Sequence, residues 1–424
     1  MPNARISRHA GAPAFHYAAY AQRRRACPVR AALPPFAHAP DHSSRGAGTQ
    51  SHAWLTFIPS PLWRAKELPM KTSRISSLLR FAIAGFFVFS TCASVTAHAQ
   101  TAASQQVNAT FVGYQRTTLA TAESEKIEVA FWYPTATPSR EHTFGPYTFV
   151  AALDAPVNAG KHPLILISHG TGGNNMNQHE LAAAFAQSGY IAVALTHPGD
   201  NYRDRALVGT PKYFSERPRQ VSRVLDALLA DTAWSARIDS ARIGFFGHSA
   251  GGFTGAALIG ATPSIANTVK HCAANYDADP WFCAVSGSKE KAIANAQHAD
   301  YIPAVPPSTD PRIRAAVLAA PVGAFFTPEA LKNVKVPVQV WVAGRDTVLV
   351  PRFHAAYVGS TIPGATVTTT PDGGHFMLLS KIKLTDAAIN GANVNDDPPG
   401  FDRAAAIRAA SKALPAWFDQ ALAK

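Results

Sequence analysis

Gly247-His248-Ser249-Ala250-Gly251 is a Gly-x-Ser-x-Gly run between an apolar, strand-like stretch (Ile243 to Phe246) and a helical one (Phe253 to Ile259). A serine at such a junction sits on a strained turn that lifts its hydroxyl above a sheet edge. Glycines two residues to either side let strand and helix approach where a Cβ would collide. The helix then aims free N–H groups and a partial positive charge at that hydroxyl. With glycine near 7% of residues, the spacing alone arises by chance roughly 0.1–0.2 times in a chain of this length. The flanking strand and helix are therefore what point to nucleophilic attack by Ser249.

A serine hydroxyl is a weak nucleophile until an imidazole takes its proton, and that imidazole needs a carboxylate to hold its tautomer. His375, in Asp372-Gly373-Gly374-His375-Phe376, follows the last expected strand in a glycine-rich loop that can carry it over the sheet. The acid is expected after an earlier strand, in the order Ser, Asp, His. Asp346, in Gly344-Arg345-Asp346, meets that requirement. Asp372 is a weaker rival, too near His375 in sequence, and Asp310 precedes its strand at the wrong end of a sheet. A tetrahedral oxyanion needs preorganised N–H donors. The backbone N–H of Ala250 is one candidate. That of Thr171, in the loop His169-Gly170-Thr171-Gly172-Gly173, is the other. The same loop could cradle a phosphate, but no lysine or dinucleotide-type spacing accompanies it.

The elements that must position these residues read as alternating strands and helices. Strands are expected near Phe111–Thr118, Ile127–Pro134, Pro163–Ser168, Tyr190–Leu195, Ile243–Gly247, Ile313–Ala320, Val336–Ala343 and Thr366–Thr370. Helices are expected over Asn177–Ser188, Pro218–Leu229 and Arg403–Ala423; in the second, Val221, Val224, Leu225, Leu228 and Leu229 recur with helical period. Residues 135–160 read as loop. The alternation implies a mostly parallel central sheet with helices on both faces. A long insertion after the elbow helix, residues 261–312, is placed to roof a site in the manner of a lid.

The 424 residues carry a formal charge of +12, which could suggest a polyanionic partner. Its distribution argues otherwise: residues 1–69 hold a net +7 and residues 70–99 a net +3, leaving +2 for residues 100–424. A nearly neutral body gives no reason to invoke nucleic acid. Residues 70–99 have the form of a secretory signal peptide: Met70-Lys71-Thr72-Ser73-Arg74, an apolar run from Phe81 to Ser90, and Ala97-His98-Ala99 before a cleavage expected ahead of Gln100. The apolar run is short for a membrane span, so no stable span is expected after cleavage, and the product is expected in the periplasm or outside the cell. Residues 1–69, rich in Arg, Pro, Ala and His, read as an over-extended reading frame or a disordered extension. Cys272 and Cys283 remain in the mature chain as an even pair in an exported protein, which implies a disulfide. His271 and Cys272 lack any further metal-ligand pattern, and no metal or organic cofactor is implied.

Taken together, Ser168-His169-Gly170-Thr171-Gly172-Gly173, His197-Pro198-Gly199-Asp200-Asn201, Arg217-Pro218 and Gly247-His248-Ser249-Ala250-Gly251-Gly252 resemble the α/β-hydrolase superfamily. More narrowly they are similar to predicted dienelactone-hydrolase-like and platelet-activating-factor acetylhydrolase-like esterases. The resemblance runs from about Ile127 to the C-terminus. It implies the α/β-hydrolase fold and a serine esterase with Ser249, Asp346 and His375 as triad and Thr171 and Ala250 as oxyanion donors. There are two departures. True dienelactone hydrolases use a cysteine where this chain has Ser249. The eukaryotic acetylhydrolases carry their acid after the strand following the elbow, where this chain reads Leu318-Ala319-Ala320-Pro321. The expected substrate is a short-chain or lipid-like ester, with Phe325-Phe326, Phe376-Met377-Leu378 and Trp281-Phe282 as candidate apolar lining. A serine peptidase or amidase with the same triad, or a catalytically silent binding protein on the same fold, is the alternative.

Overall fold

The computed structural model describes residues 110–423 apart from 124, 385–387 and 390–391. The N-terminal segment 1–69 and the signal-peptide segment 70–99 lie outside the described residues. Ten strands form one sheet: β1 (Phe111–Ala120), β2 (Lys126–Thr135), β3 (Arg140–Phe144), β4 (Tyr147–Leu153), β5 (His162–Ser168), β6 (Ile191–Thr196), β7 (Ile238–His248), β8 (Ala315–Ala319), β9 (Val338–Ala343) and β10 (Thr366–Thr370). Their spatial order is β10-β9-β8-β7-β5-β6-β2-β1-β4-β3. The six strands from β6 to β10 run parallel, and β2 joins them antiparallel through β6.

Helices follow the strands in chain order: α1 (His179–Gln187), α2 (Tyr213–Ala230), α3 (Thr232–Ser235), α4 (Ala250–Leu258), α5 (Ile265–Asn275), α6 (Pro280–Cys283), α7 (Lys289–Ala296), α8 (Pro328–Lys332), α9 (Ala355–Thr361) and α10 (Arg403–Ala421). Alternate residues of the central strands feed two cores. Leu164, Leu166, Val193 and Phe245 pack with Val221, Leu225 and Leu228 of α2 and Phe253 of α4. Ile165, Ile167, Ala192 and Phe246 pack with Leu181 and Phe185 of α1 and Leu414 and Phe418 of α10. The two-residue strand period thus buries the sheet on both faces, as an unbroken apolar run such as Leu164–Ile167 requires. Among the described residues no helix is long and apolar enough to cross a membrane.

Several stretches differ from the sequence expectation or add to it, among them the following. Residues 135–160 hold the antiparallel hairpin β3–β4, turned at Gly145-Pro146, with Tyr147, Phe149 and Ala151 buried on one face of β4. Helix α2 begins at Tyr213, not Pro218; burial of Tyr213, Phe214 and Arg217 holds the first turn, and Pro218 sits inside it. The 261–312 insertion contains helices α5, α6 and α7. Helix α4 contains three glycines yet buries all nine of its residues, so packing rather than propensity maintains it.

Candidate active site

Every candidate triad and oxyanion residue stands at a C-terminal strand end of the parallel section, the edge where open α/β sheets bind ligands. Strand β7 is followed directly by Ser249, whose backbone has φ 57° and ψ −116°, a left-handed conformation that costs a non-glycine residue about 1–3 kcal/mol. Three bonds hold the strained turn: Ser249 N–H donates to Ala319 O, and Ser249 O accepts from Phe253 N–H and Val322 N–H. A Cβ on Gly247 would collide with the Gly251 carbonyl, which is the steric reason for glycine there.

His375 follows β10 and Asp346 follows β9. Their loops are joined by Gly344 N–H to Thr370 O and Arg345 N–H to Gly373 O, each 2.9 Å. His375 Nε2 lies 3.0 Å from Ser249 Oγ, and Nδ1 lies 2.7 Å from Asp346 Oδ2. The other carboxylate oxygen, Oδ1, accepts the N–H groups of Val348 and Leu349 at 2.9 and 2.8 Å. Asp346 and His375 are both buried, while Ser249 keeps partial exposure. With the carboxylate accepting from Nδ1–H, Nε2 presents its lone pair to the serine hydroxyl, so the arrangement can remove the hydroxyl proton. Asp372 points elsewhere, paired with Arg345 at 2.9 Å on the surface. Asp310 is bound to Arg312 and Ser222.

The loop after β5 lies directly against the serine: a Cβ on Gly170 would stand 3.1 Å from Ser249 Cβ. Among the described residues, neither the Thr171 nor the Ala250 N–H donates to a protein acceptor. Both are free to stabilise an oxyanion.

Several residues of the motifs around the site have partners far along the chain that the sequence did not indicate. His248 is fully buried beside the serine and donates Nε2–H to the carbonyl of His375 at 2.8 Å. Burial, with His375 adding to it, holds His248 down to about 3, so the ring is neutral. Beneath the β5 loop runs a buried chain in which His197 Nδ1–H donates to Gln220 Oε1 and Ser168 Oγ donates to His197 Nε2, each at 2.8 Å. His169 Nε2 accepts the His197 N–H, and its Nδ1–H donates to Gly170 O. Burial, then the Arg217 charge, keeps His169 down to about 4 and His197 well below the usual range.

Of the candidate apolar residues, Phe376 packs against the His375 ring with centroids 5.1 Å apart. Phe325 packs on Tyr213, Phe214, Phe253 and Phe282, and Tyr213 in turn hydrogen-bonds Thr171 Oγ1. Phe326, Met377 and Leu378 are buried core.

The insertion is cross-linked within itself and held to the rest of the chain through Asp279. Cys272 and Cys283 form a disulfide. Between them Asp279 is buried, and its Oδ2 accepts from His271 Nε2 at 2.9 Å and His354 Nε2 at 2.8 Å. Burial raises the Asp279 carboxyl, but the two imidazole hydrogen bonds outweigh it and leave it at about 2. These three residues bring their ligand atoms within 4.8 Å of one another, which raises the question of a cation. His354 answers it. Gly323 N–H donates to its Nδ1 at 3.1 Å, so the ring proton resides on Nε2 and no lone pair faces the cluster. A metal-bound imidazole has the reverse arrangement, donating its outer N–H. Cys272, being in the disulfide, offers no thiolate.

Residues 164–384 match the family model described as the alpha/beta hydrolase family. No curated protein matches the sequence. Among solved structures, a ferulic acid esterase from Streptomyces cinnamoneus aligns at 18% identity and TM-score 0.49, covering 73% of this chain and 89% of that one. An acylaminoacyl peptidase from Pyrococcus horikoshii aligns at 11% identity and TM-score 0.43 over 73% of this chain, which spans only 42% of the peptidase.

Proposed function

This chain belongs to the alpha/beta hydrolase family, and from that premise we propose that it cleaves carboxylic esters through an acyl-enzyme. The observation that carries the proposal is the unbroken line from Ser249 Oγ through His375 to Asp346, at 3.0 and 2.7 Å. In this reading His375 takes the Ser249 proton as Oγ attacks the ester carbonyl carbon, and Asp346 steadies the imidazolium. The Thr171 and Ala250 N–H groups receive the charge that develops on the carbonyl oxygen. Collapse breaks the bond to the alcohol, which leaves with the proton from His375. Water, deprotonated by the same imidazole, then attacks the acyl carbon; the second collapse breaks the acyl–Oγ bond, returns the proton from His375 to Ser249 and releases the carboxylic acid.

An ester of moderate hydrophobicity is favoured by the aromatic surroundings, Phe376 beside the base and Tyr213 with Phe325 beyond the 169–173 loop. The sequence resemblance to dienelactone-hydrolase-like and acetylhydrolase-like esterases points the same way. The disulfide supports an oxidising compartment, in keeping with export directed by residues 70–99. With the disulfide stiffening the insertion internally and buried Asp279 holding it to His354, residues 261–312 act as a fixed roof.

The test compares p-nitrophenyl acetate, butyrate and longer esters with peptide anilides, using Ser249→Ala as the control. Ester turnover lost in Ser249→Ala is the expected result. Preferential turnover of anilides moves the activity to a peptidase or amidase, and no turnover of any acyl donor leaves a binding protein.

A further inference from the structure

Arg217 and Asp200 are both wholly buried, and stability alone does not account for them. Removing two charges from water costs about as much as their attraction returns, and an apolar pair of similar volume commonly serves a fold equally well. Where their hydrogen bonds end is more informative. Arg217 Nη1 donates to Asp200 Oδ2 at 2.5 Å, and Nε donates to Thr254 Oγ1 on α4 at 3.0 Å. Nη2 donates to Ser168 Oγ at 3.2 Å and to the carbonyl of His169 at 2.5 Å. The free carboxylate oxygen of Asp200 accepts the Gly172 N–H at 2.8 Å. One ion pair therefore grips the loop on both sides of Gly170-Thr171, at a carbonyl just before them and an amide just after.

We propose that the Arg217–Asp200 pair is a positioning device that fixes the Thr171 N–H as an oxyanion donor. This rests on the acyl-transfer reading above. Two further contacts support the fixing of that peptide: Gly173 N–H donates to Gly170 O at 3.1 Å, and Thr171 Oγ1 lies 3.1 Å from Tyr213 OH. Arg217 itself does not reach a substrate, because it is fully buried and its guanidinium nitrogens are all engaged with the protein. Thr254 links the same guanidinium to α4, the helix that begins with the second donor, so the pair spans both halves of the oxyanion site. A donor held in place before reaction stabilises developing charge without reorganisation.

The experiment uses Asp200→Asn, Arg217→Lys and the paired apolar replacement Asp200→Leu with Arg217→Met. Each is assayed for kcat and KM on p-nitrophenyl butyrate and for inhibition by a trifluoromethyl ketone carrying the same acyl chain. The proposal expects kcat to fall roughly 10²–10³-fold, the cost of one oxyanion donor, with KM within a few fold and the ketone weakened in parallel. The apolar pair leaves no unpaired buried charge, so it keeps the test valid if a single variant fails to fold. A folded apolar-pair variant with wild-type kcat and ketone affinity overturns the proposal, as does a lowered melting temperature with unchanged kinetics. If the wild-type protein itself neither turns over esters nor binds the ketone, it is the acyl-transfer reading that fails.

Discussion

Asp346→Asn separates the electrostatic and orienting role of the acid from its packing. The substitution is nearly isosteric, and Asp346 uses its two oxygens differently. Oδ1 accepts the Val348 and Leu349 N–H groups, whereas Oδ2 faces His375 Nδ1 at 2.7 Å. An asparagine that keeps its oxygen toward the two amides preserves the loop but turns its NH2 toward Nδ1. Nδ1 must then accept, and the ring proton moves to Nε2, facing Ser249 Oγ, where a base is required. The flipped amide is no escape, since it would set an NH2 against two backbone donors and forfeit both bonds. The wrong tautomer is expected to lower kcat about 10⁴-fold, equivalent to about 5 kcal/mol of transition-state stabilisation. KM should change little, because the carboxylate lies behind the imidazole and away from the acyl group. Steady-state kinetics on p-nitrophenyl butyrate, with a melting curve to verify the fold, provide the measurement. A folded variant within tenfold of wild-type kcat refutes the reasoning and removes Asp346 from the relay.

Two predictions concern stability. His169 and His248 are held neutral at about 4 and about 3 against an unfolded value of 6.5. The unfolded chain therefore binds protons first, and the stability they contribute is fully present above pH 6.5 and lost as pH falls toward those values. Each should cost roughly 1.4 kcal/mol per pH unit below 6.5, about 2 kcal/mol by pH 5; denaturant midpoints that are flat or rising between pH 7 and pH 5 contradict this. The Cys272–Cys283 disulfide closes a loop with a sequence separation of 11. Replacing both cysteines by serine should cost about 2–3 kcal/mol in the chain-entropy picture, and an unchanged melting temperature argues against that constraint.

The residues that sequence pattern brings to notice are those whose constraint is local. Gly247 and Gly251 flank Ser249 because a tight strand-to-helix turn needs them. His375 and Asp346 draw attention by following apolar strands in a fixed order. The alternating cores of the parallel section were legible for the same reason, since unbroken runs such as Leu164–Ile167 have few other uses. What escaped notice depends on distance along the chain. Arg217 meets Asp200 across 17 residues, His354 meets Asp279 across 75, and His248 meets the His375 carbonyl across 127. No period or turn residue announces such pairings. The early start of α2 was hidden by Pro218, which reads as a first helical residue although burial of Tyr213 and Phe214 had already fixed the preceding turn. Hairpin β3–β4 was masked by polar residues on its exposed strand.

The most direct measurement is covalent labelling of the native protein with a fluorophosphonate, read by intact mass and peptide mapping. The Ser249–His375–Asp346 relay predicts one adduct, on the peptide bearing Ser249, absent in Ser249→Ala and slowed strongly in His375→Ala. An ester-hydrolysing preparation that takes no label at Ser249, or is labelled at another residue, contradicts it.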